Sequence, residues 1–179
     1  MSLKAKLVSS VAAFCLVLAL LVVGILAVPS ATINMGGSIS FQATDVNATV
    51  TITVTGTETP VEQVTYTYDA EQGKATENWT SNNWVFDADR EIVVTITVTN
   101  KDTVRQLDVA WTQPTDMTAQ NVTVVSSGEA STTLDNSKTG AGSTNVATYK
   151  MTFTPKDENL AVEGATWTAK LVLSNHAGA

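Results

Sequence analysis

The sequence predicts an all-β protein, an Ig-like or jelly-roll β-sandwich, preceded by an N-terminal hydrophobic signal or anchor helix. From residue 32 onward, apolar residues fall on alternate positions in one run after another, usually with threonine between them. This period of two is typical of half-buried strands. Leu7–Val28, in contrast, is apolar apart from Ser9 and Ser10 and carries no charge. We therefore divide the chain into 1–31, a signal peptide or membrane anchor, and 32–179, a single β-sandwich domain.

The N-terminal segment has the three parts of an export signal. Lys4 and Lys6 form a short basic head, Leu7–Val28 is the apolar run, and the small residues Ser30 and Ala31 follow it. We expect a signal peptidase to cut close to Ser30 and Ala31. The run is also about as long as the roughly 20 apolar residues that span a bilayer, so retention as an anchor stays open. Either outcome places the rest of the chain outside the cytoplasm, secreted or at the cell surface.

Composition limits the chemistry of the exported part. The formal net charge is −7, and the leader contributes only lysines to it, so the exported part is more acidic still and a poor partner for nucleic acid. Cys15, the one cysteine, lies in the leader, which excludes disulfides and a cysteine nucleophile from the domain. His176, the one histidine, lies in a tail that we expect to be frayed. We predict no enzymatic activity, no metal and no cofactor.

The first strand candidate, Thr32–Gln42, has one apolar face, formed by Ile33, Met35, Ile39 and Phe41. Gly36 and Gly37 interrupt it, and two adjacent glycines weaken a strand or mark a bulge.

Further strand candidates follow at short intervals. They are Val50–Val54, Val64–Tyr68, Trp84–Phe86, Val94–Val98, Leu107–Trp111, Val122–Val124, Tyr149–Phe153 and Trp167–Leu173. The turn residues Asn100–Thr103 predict that the strands before and after them form a hairpin. A polar stretch, Asp69–Asn83, precedes the Trp84–Phe86 candidate, and the Gly-, Ser- and Thr-rich stretch Ser126–Asn145 predicts hairpins or loose loops. Val50–Thr55 recurs as Val94–Thr99, which we attribute to chance Thr/Val alternation rather than to a duplicated module.

Tryptophans are the remaining candidates for a binding role. Trp79, Trp84 and Trp111 can stack on sugars if they are exposed, or fill the core of a sandwich. The core is the more common place for tryptophans in such a fold, and we predict it for these three.

Three stretches, taken with the leader, carry a resemblance to a known family. They are Ile33–Phe41, which reads Ile-Asn-Met-Gly-Gly-Ser-Ile-Ser-Phe, then Glu91–Asp102, and finally Ala165–Leu173. Their order resembles the TasA/camelysin family of secreted bacterial biofilm-matrix proteins. The resemblance implies a jelly-roll-like subunit that assembles into extracellular fibres. Camelysin relatives have been described as metallopeptidases. This sequence contains no match to a metal-binding motif, so we do not extend that activity to this protein.

These observations predict a secreted, non-enzymatic structural protein that forms homo-oligomers or fibres and contacts the membrane through residues 7–28 before cleavage. Thr32–Gln42 is the expected assembly strand, because a free terminal strand can complete its own sheet or insert into that of a neighbour. In a single chain we expect it to fold into its own domain. The alternative function is a membrane-anchored adhesin or a carbohydrate-binding β-sandwich module.

Overall fold

The computed structural model describes residues 32–56, 62–81, 83–87, 90–115, 117, 120–138, 144–157 and 160–177, and this part of the chain is all-β. Apart from one turn of 3₁₀ helix at Ala70–Gln72, its regular elements are eleven strands. They are β1 (Thr32–Thr44), β2 (Ala48–Thr55), β3 (Glu62–Tyr68), β4 (Lys74–Thr80), β5 (Trp84–Asp87), β6 (Ile92–Asn100), β7 (Leu107–Thr112), β8 (Val122–Ser127), β9 (Ser131–Leu134), β10 (Val146–Pro155) and β11 (Val162–Asn175).

The strands form two sheets. The first sheet has the order β4-β1-β11-β7-β9, with β5 pairing to β1 beside β4, and the second has the order β3-β2-β6-β10-β8. Ring contacts join the two sheets: the ring centroids of Phe41 and Tyr66 are 5.3 Å apart, and those of Trp111 and Tyr149 are 5.4 Å apart. The inward side chains of both sheets make one hydrophobic core. The predicted β-sandwich is therefore confirmed.

Alternation of apolar and polar residues builds the centre of the second sheet. Ile96 and Val98 lie on β6, the middle strand, and are completely buried, as the pattern predicts. The repeated Val-Thr-Ile-Thr-Val-Thr segments are neighbours in this sheet, antiparallel and centred on the pair Ile52 and Ile96. Their valines and isoleucines face the core, while their threonines are more exposed on the other face, where a branched Cβ suits a strand and the hydroxyl meets water.

The predicted hairpin between β6 and β7 is wrong, because β6 belongs to the second sheet and β7 to the first. The loop that makes this crossing is held by two buried polar residues, Asn100 and Asp102. The Asn100 side chain donates to the carbonyl oxygens of Arg105 and Asp135, and its Oδ1 accepts from the N–H of Asp102. Asp102 in turn accepts from the N–H groups of Val104 and Arg105. These bonds satisfy the loop's polar groups, so the chain can leave one sheet and enter the other.

Two further strands lie in stretches in which the sequence identified no individual strand. β4 falls within the polar stretch and β9 within the Gly- and Ser-rich one. Both lie at the ends of the first sheet, where side chains are mostly exposed and apolar alternation is not required. In the part of the chain described here, no helix has the length and apolarity to cross a membrane.

Candidate assembly site: the groove that holds the first strand

β1 occupies the interior of the first sheet, although it comes first among the described strands. On one side it pairs in parallel with β11. On the other side it pairs antiparallel with β5 along Thr32–Met35 and with β4 along Ser38–Thr44. We call the space between these flanking strands the β1 groove. Since both edges of β1 are hydrogen-bonded, its removal would split the first sheet in two.

The four residues predicted as the assembly face lie at the bottom of the β1 groove. Ile33, Met35, Ile39 and Phe41 each have 0% exposure and belong to the core. Full burial of an aliphatic or phenyl side chain is worth roughly 1.5 to 3 kcal/mol, so this face holds β1 strongly in place. The strand folds into its own domain in the single chain, as expected.

Ser81 closes the gap between β4 and β5. The N–H of Gly37 donates to Ser81 Oγ at 2.8 Å, and the N–H of Ser81 donates to the Gly37 carbonyl oxygen at 2.9 Å. Both backbone groups of Gly37 are therefore paired at the point where β1 changes partner strands. Ser81 is itself buried and was not recognised in the sequence, because a serine in a polar stretch carries no signal of this role.

The indole of Trp167 lies over the backbone of Gly37. The two residues are direct partners in the β1–β11 ladder. A Cβ atom on Gly37 would overlap the Cε2, Cδ2 and Nε1 atoms of that indole. An aromatic side chain that covers a glycine on a neighbouring strand is a known way to stabilise a sheet at that position.

Aromatic rings from the opposite side of the groove and from the second sheet surround this indole. The ring centroid of Trp167 is 5.1 Å from that of Phe153, 5.8 Å from that of Trp84 and 6.2 Å from that of Trp79. Trp84 and Trp79 stand on β5 and β4, opposite Met35 and Ile39 of β1. The rings of the two groove walls thus meet over the one inward position of β1 that has no side chain.

The predicted core role of the tryptophans is confirmed. Trp79, Trp84 and Trp111 are 3%, 4% and 6% exposed, so their ring faces are covered by protein. They give no platform for a sugar, which needs an accessible ring face.

A short connection joins β1 to the rest of the domain. Asp45, Val46 and Asn47 cross from β1 in the first sheet to β2 in the second. Asp45 has φ of 52°, in the left-handed region, which aspartate tolerates better than most residues do. Its N–H donates to the Gly73 carbonyl oxygen at 3.2 Å, and its carbonyl oxygen accepts from Asn175 Nδ2 at 2.6 Å. The connection is therefore short and conformationally constrained.

Other parts of the prediction lie outside the described residues. Ser30 and Ala31, the expected processing residues, are among them, and so is the apolar run at 7–28. Their assignment stays a prediction.

The tail around His176 is ordered, and the expected fraying is wrong at this residue. Its N–H donates to the Gln106 carbonyl oxygen, and its Nδ1 lies 2.9 Å from Asp108 Oδ1. The Thr133 hydroxyl donates to the same carboxylate at 2.6 Å. The hydrogen bond from Thr133, joined by that from His176, lowers the pKa of Asp108. In this arrangement the threonine contacts the carboxylate and not the imidazole, which is not the order of a nucleophile, base and orienting acid.

Across the described ranges, no group of three or more His, Cys, Asp or Glu side chains lies close enough together to hold a metal ion. Comparison of the chain with protein-family models gives no match, and comparison with curated protein sequences gives none.

Proposed function

We propose that this protein is an exported, non-enzymatic structural subunit that assembles with copies of itself into fibres at the cell surface or in the extracellular matrix. Assembly proceeds by exchange of β1: the strand leaves its own groove and enters the β1 groove of the next copy. The observation that carries this proposal is the position of β1, a strand next to the leader that fills an interior place in a sheet.

Exchange conserves the interactions that hold the strand. A second copy offers the same flanking strands, the same Ser81 partner for Gly37 and the same apolar floor. The free energies of the closed and exchanged forms therefore differ mainly by the hinge and by the entropy of association. A short, constrained hinge favours exchange, because opening relieves it, and the Asp45–Asn47 connection is of that kind.

A strand passed in one direction produces an open chain of subunits. Each copy gives β1 to one neighbour and receives β1 from another, which is a head-to-tail contact that does not close on itself. The absence of cysteine after Cys15 agrees with a subunit held by strand exchange and burial rather than by disulfides. The leader supports export, with the signal peptidase and, before cleavage, the membrane as its partners.

Strand connectivity supports a jelly-roll arrangement for the subunit. From β5 to β11, every connection passes from one sheet to the other. An Ig-like sandwich contains several consecutive strands paired within one sheet, whereas alternation between sheets is the habit of a jelly roll. We therefore propose the jelly roll over the Ig-like fold.

A reversible lock on β1 tests the proposal in a folded chain. Ser40 and Asn78 are direct partners on the outer face of the β1–β4 ladder. Antiparallel partners have Cα atoms about 4.5 to 5.5 Å apart, a separation that a disulfide spans. In a chain that also carries C15S, the S40C/N78C pair would tie β1 to its own groove when oxidised. We expect no fibres by electron microscopy under oxidising conditions, and fibres after reduction.

The matched control places the disulfide between two strands that the proposed exchange leaves in place. Thr51 and Thr97 are partners on the outer face of the β2–β6 ladder. The T51C/T97C chain, oxidised in the same way, should form fibres. Fibres from the oxidised S40C/N78C chain would refute exchange of β1.

A further inference from the structure

At one position the β1 groove can discriminate between strands, according to whether the strand carries a side chain there. Of the inward positions of β1, most hold side chains that pack on the core, and conservative apolar changes at such places are tolerated. Position 37 differs, because Trp167 takes up the space that a side chain would need.

Backbone conformation does not explain the glycine. Gly37 does not have a positive φ, unlike four other glycines of the described chain, so other residues could adopt its backbone geometry. The requirement is for space alone. At Gly36 the conflict is slight: a Cβ there would lie 3.8 Å from Ser81 Oγ and 3.2 Å from Asn83 Oδ1, and the exposed Asn83 side chain can move by the few tenths of an ångström required. The two adjacent glycines thus have different roles, although the sequence gives them the same appearance.

The indole cannot easily move to admit a side chain at position 37. Trp167 is 2% exposed and packs against the rings of Phe153, Trp84 and Trp79. Protein cores are close-packed, so a shift of one ring displaces the others. The backbone of Gly37 is also fixed, because Ser81 holds both its N–H and its carbonyl oxygen.

We propose that Gly37 and Trp167 together determine which strands the β1 groove accepts: a strand enters, in its own chain or from another copy, only with glycine opposite Trp167. The part concerning another copy rests on the proposed function. The accepted partner is then a strand with apolar residues at the positions of Ile33, Met35, Ile39 and Phe41 and glycine at the position of Gly37. This rule also fixes the register, since no other alignment places a glycine and four apolar residues correctly.

The first experiment compares G37A with G36A in the full chain by thermal unfolding. Overpacking of this size in a core corresponds to a loss of roughly 5 to 10 °C in Tm, which we expect for G37A. For G36A we expect a change of about 2 °C or less. The G37A loss should shrink when W167A removes the indole, because the clash then disappears. Equal losses for the two glycine variants would overturn the proposal, as would a G37A loss that W167A leaves unchanged.

The second experiment presents strands in trans. The full chain is unfolded in guanidinium and refolded with an excess of labelled peptide of sequence Thr32–Thr44, or of its G37A or G36A form. Label that co-elutes with the protein on size exclusion measures capture. We expect the native and G36A peptides to be captured alike and the G37A peptide about tenfold less, which corresponds to about 1.4 kcal/mol.

The outcomes separate this inference from the proposed function. Equal capture of all three peptides would overturn the role of Gly37 while leaving strand exchange intact. Capture of no peptide would argue against exchange, and the thermal comparison of G37A with G36A would still decide whether Trp167 selects glycine within the chain.

Discussion

β1 and β6 are both interior strands, one in each sheet, and their inward side chains are equally buried. Ile39 on β1 and Ile96 on β6 each have 0% exposure. The two strands differ in how the chain holds them. β6 lies in mid-chain and runs at its C-terminal end into the Asn100 and Asp102 loop, whose side chains bind several backbone groups. β1 is joined to the other described strands only through its C-terminal end, by a connection of three residues.

The stability that a strand contributes and its ability to exchange between copies have different causes. Burial determines how much free energy a strand contributes, and the two strands are alike in that respect. The way in which a strand is connected to the rest of the chain determines whether it can leave and be replaced by an identical strand. Under the proposed exchange, β1 is both an essential core strand and the strand that binds another copy.

The largest expected effect is that of a charge in either strand. I39D and I96D each bury an unpaired carboxylate and should cost at least about 4 kcal/mol, enough to abolish cooperative unfolding near ambient temperature. Peptide Thr32–Thr44 should restore a cooperative transition to the I39D chain, because it replaces the damaged strand. It should not restore one to I96D. Circular dichroism melts with and without peptide check this, and rescue of I96D would remove the distinction between the strands.

A smaller loss is expected at the loop that follows β6. Asp102 accepts hydrogen bonds from the N–H groups of Val104 and Arg105 and from Arg105 Nε. D102A leaves these part-buried donors without their acceptor and should cost about 2 to 3 kcal/mol of unfolding free energy. D108N is the control, since Asp108 is a half-exposed carboxylate whose loss should cost about 1 kcal/mol or less. Urea melts measure both, and similar losses would contradict the anchoring role of Asp102.

Low pH should reduce the stability that Asp102 contributes to this loop. Burial alone raises the pKa of Asp102, but the hydrogen bonds from Arg105 and Val104 outweigh it and hold this pKa below its ordinary value. The stabilisation is thus complete above the unfolded-state pKa of about 3.9 and is lost as pH falls through the lower, folded pKa. The Tm difference between the parent chain and D102N should stay constant from about pH 5 to pH 8 and narrow below about pH 4. A constant difference at all pH values would contradict this.

The smallest effect is expected at Tyr149 on β10. Burial, with a contribution from Glu129, raises the pKa of Tyr149 to about 12. Its hydroxyl is buried and has no hydrogen-bond partner among the described residues. Y149F removes only that hydroxyl and should change Tm by no more than about 2 °C near pH 7. The parent should lose stability relative to Y149F as pH rises above about 10, where the unfolded tyrosine ionises first. A large loss at neutral pH would mean that the hydroxyl has a partner.

The strands that were best predicted from the sequence are those with one apolar face and one polar face. Alternation identified β1, β2, β6 and β10, because each has one face on the core and one toward solvent. β4 and β9 at the sheet ends carried too few apolar residues to be recognised. The hairpin expected after Asn100 failed because a turn signal does not specify which sheet the next strand joins.

The candidate site was only partly predictable. The apolar face of β1 followed from local alternation, and burial of those residues agrees with it. Its parallel pairing with β11 joins the two ends of the domain, and no local signal reports such a pairing. The role of Gly37 depends on Trp167 and Ser81, which lie far along the chain, so the sequence indicated only that the glycine pair weakens the strand or marks a bulge.

The most direct test of β1 exchange asks whether one copy's strand lies in another copy's groove. Chains with C15S and either S40C or N78C are mixed, assembled and oxidised, and the disulfide is mapped by mass spectrometry. Neither single variant can form the native β1–β4 bridge within one chain. If β1 is exchanged, a disulfide joins the S40C site of one chain to the N78C site of another in fibres of the mixture. Fibres that form without this bridge, while the S40C/N78C double variant makes it within its own chain, would contradict exchange of β1.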